Sequence, residues 1–162
     1  LMGGLTVSSV ENGRVTCVRP DPPAELRVVV AVPDFEIETH AARALLPDTV
    51  PHRDAVFNVS RSAMVTAALI TGQLDALKTA LDDRLHQPYR LSLVPGFEAV
   101  RDAAVRAGAL GAFLSGAGPT ILAFAQTNAE GVADAMKDAW RENGVIASAD
   151  VVEIDPIGVT LE

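Results

Sequence analysis

Residues 111–154 place the tightest constraint on the fold. GAFLS at 111–115 and TILAFA at 120–125 are short apolar strands, and the SGAGP between them is a tight glycine-rich connection. Residues 129–142 then repeat apolar side chains at helical spacing, with Val132, Met136 and Trp140 on one face. Gly144 follows, and 145–154 supply a final strand. Upstream, LRVVVAVP at 26–33 lacks polar alternation, which predicts a strand covered on both faces. Helical stretches fill the interval. A short one after Thr39, with Thr39 as its cap, is stopped by Pro47. A longer one over 54–71 carries Val56, Val59, Ala63, Ala67 and Ile70 on one side and ends at Gly72. Further pieces cover 74–82 and 97–107. The order strand, helices, strand, strand, helix, strand is the ferredoxin-like split βαβ pattern. The expected class is α+β: an antiparallel sheet with helices on one face and additional helices after the first strand.

Ahead of this unit, LTVSSV-ENG-RVTCV reads as a β-hairpin, because Asn12-Gly13 supplies both positive-φ residues of a type I′ turn. PDPP at 20–23 cannot continue a ladder, since proline donates no hydrogen bond, and acts as a linker. The chain therefore divides into a ribbon at 1–20 and a domain at 24–162. It opens with Leu1, as if continuing from something longer.

Composition narrows the function classes. Lys and Arg number 13 against 21 Asp and Glu, a net charge of -8, so binding to a nucleic-acid backbone through a basic face is disfavoured. Hydrophobic residues at 49% can build a core, and with aromatics at 4% it must come from Ala, Val, Leu and Ile. No run approaches the roughly 20 apolar residues of a membrane span. LMGGLTVSS is not a signal peptide, and a lone Cys17 forms no internal disulfide, so a cytoplasmic setting is expected.

Two constellations can carry chemistry. Ser115-Gly116-Ala117-Gly118-Pro119-Thr120 can turn backbone N–H groups toward one concave spot, as an anion nest does. It is no Walker A loop, and a plain hairpin turn whose glycines satisfy positive φ stands beside that reading. Arg43 follows Thr39 by four residues on one helical face, and Arg90 ends the irregular HQPYR segment. Arginine forks suit a carboxylate or phosphate, whereas ordinary surface pairs with Glu38 or Asp83 are the bland alternative. His40, His52 and His86 lack ligand spacing for a metal, and no Ser-His-Asp arrangement is visible.

These residues carry a resemblance. LSGAGPTILAF at 114–124 resembles the third conserved motif of the superfamily that includes galactokinase, homoserine kinase, mevalonate kinase and phosphomevalonate kinase. VPDFEIETHAARALLP at 32–47 and DRLHQPYRLSLVPGF at 83–97 resemble the homoserine kinases in particular. The similarity runs from residue 3 to the end, and the Gly-Ser-Ser-rich phosphate loop of that family does not occur among the 162 residues. The resemblance implies the C-terminal part of such a kinase: 1–20 as the hairpin remnant of an absent N-terminal domain, 24–162 as the C-terminal kinase domain. It further implies ATP-dependent phosphorylation of the L-homoserine hydroxyl, with Mg²⁺ accompanying ATP, and it allows a homodimer. By the same likeness Thr39, Arg43 and Arg90 bind the substrate, while Ser115, Gly116, Ala117 and Gly118 lie against the nucleotide loop. No general base is assigned, and the fragment alone is expected to be inactive. A non-catalytic amino-acid-binding regulatory domain of ferredoxin-like fold is the competing class, since fold does not specify function.

Overall fold

The computed structural model describes residues 3–160. Asn12 and Gly13 both take left-handed φ values, 49° and 75°, and the chain reverses there between β1 (Val7–Glu11) and β2 (Arg14–Val18). This pair is a separate two-stranded ribbon, and Val10, Val15 and Val18 on it are exposed. Two strands alone are marginal in water, so such a ribbon gains from a neighbour.

The main sheet contains β3 (Arg27–Pro33), β4 (Gly111–Leu114), β5 (Ile121–Ala125) and β6 (Ala147–Val152), in the order β4-β5-β3-β6. Every neighbouring pair is antiparallel, so β3 runs with β4, and β5 with β6. This is the expected ferredoxin-like arrangement. The helices are α1 (Thr39–Ala44), α2 (His52–Thr71), α3 (Leu77–Ala80), α4 (Gln87–Arg90), α5 (Phe97–Arg106) and α6 (Ala129–Glu142). Short 3₁₀ turns occupy Leu74–Ala76 and Leu91–Leu93.

The inward rows of the sheet, Val29, Ala31, Ala112, Leu114, Ile121 and Ala123, meet Val100 and Ala104 of α5 and Val132, Met136 and Trp140 of α6. Trp140 is fully buried, and its Nε1 donates to the Pro95 carbonyl at 3.2 Å, so the indole's polar atom is not stranded. Alanine on the sheet face leaves room for these larger helix side chains, which is how a chain poor in aromatics fills its core.

Three local expectations need correction. β3 is not covered on both faces: Val29 and Ala31 are buried, but Val28 and Val30 are half-buried and Val32 is 43% exposed. Successive strand side chains point to opposite sides, and α5 and α6 cover only one of them. The apolar stripe assigned to the long helix faces outward, with Val56 54%, Val59 71% and Ile70 52% exposed. The inward face is Val65, Ala68 and Leu69, packed with Leu26, Leu74, Leu77 and Leu110 in a second, smaller core. The helix therefore has two apolar stripes, and periodicity cannot say which one meets a neighbour. Finally, Thr39 is the first residue of α1 rather than its cap; Glu38 occupies that position, and no side chain caps the helix.

Candidate functional site

Strand register brings the candidate residues to one end of the sheet. Ala31 of β3 pairs with Ile121, immediately after the glycine loop, so the C-terminal end of β3 lies beside that loop. The chain then passes through residues 34–38 into α1, and Ile37 lies against the Gly118 backbone. Segment 83–90 is tied to α2 through Asn58 and closes the cluster at Arg90.

Arg90 is the hub. It is 8% exposed, and it alone among the described residues is both charged and buried. Its Nη1 donates to the Gly116 carbonyl at 2.9 Å, and its Nε to the Ala42 carbonyl of α1 at 3.4 Å; Nη1 also lies 3.5 Å from His86 Nδ1. Two backbone carbonyls from separate segments thus orient the guanidinium. Among the described residues no carboxylate pairs with it: the ion pairs join Arg53 and Arg84 to Asp54, Lys78 to Asp75, Arg101 to Asp102, and Arg141 to Asp138. The bland surface-pair reading therefore fails for Arg90. A guanidinium taken largely out of water with no carboxylate partner favours an anion by its electrostatics.

Thr39 and Arg43 lie one helical turn apart on α1, and both are exposed. Among the described residues neither side chain hydrogen-bonds to the protein. The contact from Arg90 to Ala42 fixes the turn that carries them.

The glycine loop is a hairpin connection with a partly open backbone. Ser115 N–H donates to the Thr120 carbonyl at 2.9 Å and Gly118 N–H to the Ser115 carbonyl at 3.0 Å, with Gly116 and Gly118 at φ 57° and 83°. Positive φ at both positions is why glycine is used there. The Gly118 N–H is therefore spent within the loop, while the Gly116 and Ala117 N–H groups have no acceptor among the described residues. The nest is smaller than the motif suggested.

Sequence reasoning missed the groups that hold segment 83–90. Asp83, weighed only as an ion-pair partner, instead accepts the N–H groups of Leu85, His86 and Gln87 at 3.2, 2.8 and 2.6 Å. Asn58 of α2 donates to the same carboxylate, and its Oδ1 accepts the Arg84 N–H at 2.9 Å. Gln87 Oε1 accepts the Leu114 N–H at 2.8 Å, tying the segment to β4. The legible signal was an Asp placed before a Pro-containing first helical turn, with Pro88 inside α4. A cavity of about 500 Å³ borders Asn58 and Asp83 between α2 and the N-terminal stretch, but Thr39, Arg43 and Arg90 do not line it.

Burial of the Asp83 carboxyl would raise its pKa. The hydrogen bonds from Asn58 and the His86 and Gln87 N–H groups, with the His86 ring nearby, outweigh that, and the pKa lies below the ordinary value. A carboxyl depressed in the folded state stabilises above its unfolded pKa of about 3.9, and that contribution is lost as pH falls through the folded value. Urea unfolding below about pH 4 should consequently weaken wild type more steeply than Asp83→Ala. Parallel acid profiles of the two proteins would remove Asp83 from this role.

The description "GHMP kinases C terminal" fits residues 65–142, from the middle of α2 to the end of α6. Over residues 65–142 the chain matches the C-terminal domain of the GHMP kinases. The chain is similar to the homoserine kinase of Microchaete diplosiphon, at 44% identity over 163 residues, covering 99% of this chain and 52% of the relative. With that of Gloeobacter violaceus it shares 48% identity over 140 residues, covering 86% and 46%. A crystal structure of homoserine kinase from Cytophaga hutchinsonii superposes with a TM-score of 0.91 at 28% identity, covering 96% of this chain and 50% of the other. The chain thus spans about half the length of the curated relatives it matches.

Proposed function

We propose that this chain is the acceptor-binding part of a homoserine kinase, which transfers the γ-phosphoryl group of ATP to the L-homoserine hydroxyl and yields O-phospho-L-homoserine for threonine biosynthesis. The observation that carries this is the buried, carboxylate-free Arg90, oriented by Ala42 of α1 and Gly116 of the glycine loop. Its fork takes the homoserine carboxylate, and Thr39 and Arg43 close over the substrate from the exposed face of α1. The open N–H groups of Gly116 and Ala117 and the rest of the 115–118 turn lie against the nucleotide loop of an N-terminal domain that the relatives' length supports. Phosphoryl transfer depends mainly on positioning and charge stabilisation, so these residues act without a base.

The resemblance implies Mg²⁺ bound with ATP. Mg²⁺ carried by ATP takes its ligands chiefly from phosphate oxygens and water, with one or two protein carboxylates, and no step here runs through the metal. No described helix is long and apolar enough to cross a membrane, and the cytosol is the proposed setting. The regulatory-sensor reading loses ground to the kinase relatives.

The test is product formation by the full-length protein from ATP, Mg²⁺ and L-homoserine, followed by phosphorus NMR. O-phosphohomoserine is the expected product, and ATP turnover without it would refute the assignment.

A further inference from the structure

Arg90 ends a single helical turn, and one turn does not hold its own geometry in water. Its placement must be imposed from outside, and the structure shows by what. The Asp83 carboxylate gathers three successive backbone N–H groups at the start of the turn, and Asn58 grips both the carboxylate and the Arg84 N–H from α2. Arg84 adds a second tie to the same helix, its Nη1 donating to Asp54 Oδ1 at 3.1 Å. Gln87 then fixes the turn to β4, one residue before the loop whose Gly116 carbonyl receives Arg90.

Resting on the reading of Arg90 as the carboxylate anchor, we propose that Asp83 and Asn58 form a latch that sets affinity for the acceptor by positioning Arg90, without touching the substrate themselves. Opening the latch frees the turn, and the guanidinium leaves the line between Ala42 and Gly116. A displacement of that size costs affinity for the group the fork holds and leaves the nucleotide contacts as they were.

Steady-state kinetics of the full-length protein separate this from a merely structural role. Asp83→Ala should raise KM for homoserine about 10-fold while KM for ATP changes less than about twofold. Asp83→Asn keeps an acceptor oxygen for the backbone N–H groups and should recover most of that loss, as asparagine does at helix caps. Asn58→Ala should shift homoserine KM in the same direction by about threefold, and it carries the test if Asp83→Ala does not fold. Loss of kcat with both KM values unchanged would mean only that less enzyme folds, and would overturn the latch. A double-mutant cycle separates this proposal from the one beneath it. In an Arg90→Leu background, Asp83→Ala should add almost nothing to homoserine KM, whereas additive losses would show that Asp83 acts elsewhere. If Arg90→Leu alone leaves homoserine KM unchanged, the anchor reading falls, and the latch falls with it.

Discussion

Arg90→Leu should lower kcat/KM for homoserine by about 10- to 100-fold while leaving KM for ATP nearly unchanged. The range follows from the energy of a charge-assisted hydrogen bond, about 1.5–3 kcal/mol net, set against about 0–1 kcal/mol for an exposed ion pair. Arg90 falls in the first class because it is buried, donates to two backbone carbonyls and pairs with no carboxylate among the described residues. The substitution also removes those two carbonyl contacts, so unfolding should be measured alongside to separate lost binding from lost protein. Arg90→Lys keeps the charge without the planar fork and should recover only part of the loss. Arg43→Leu should weaken homoserine use as well, with an added fall in kcat if its exposed guanidinium reaches the transferring phosphoryl group. Unchanged kcat/KM in both Leu variants would put the carboxylate elsewhere.

The 162-residue chain alone should form no O-phosphohomoserine above blank, and adding the N-terminal half should restore turnover. The expectation rests on the Gly-Ser-Ser phosphate loop of the family type, which does not occur among the 162 residues and which would be needed to align ATP with the acceptor. The exposed stripe Val56, Val59, Ile70 on α2 and the bare valines of the ribbon supply apolar surface for such a partner. Sedimentation should show self-association of the lone chain, replaced by a one-to-one complex when the other half is present. Turnover by the lone chain at an ordinary enzymatic rate, or a monomer indifferent to the added half, would contradict this.

Much of the fold was legible because local signals agreed with one another. The Asn12-Gly13 turn, the SGAGP connection and the Val132, Met136, Trp140 spacing each determine a short stretch without help from distant residues. The errors arose where tertiary neighbours decide. The outward stripe of α2 is as periodic as the buried one, and the second face of β3 is apolar in sequence but only partly covered among the described residues. In the site, Arg90 and the glycine loop were visible as residue types. Their meeting through the Gly116 carbonyl was not, because it joins positions 26 residues apart. Asp83 was misjudged for a related reason: a carboxylate near arginines suggests an ion pair, whereas this one is taken up by backbone N–H groups and an amide.

The central claim is that Arg90 recognises the carboxylate of the acceptor. It is tested most directly by comparing L-homoserine with 3-aminopropan-1-ol, the same amino alcohol without the carboxylate, in the full-length protein and its Arg90→Leu variant. The wild type should prefer homoserine by at least about 10-fold in kcat/KM, and the variant should lose most of that preference while its low rate on the amino alcohol stays the same. A preference for homoserine that survives undiminished in Arg90→Leu would contradict the account.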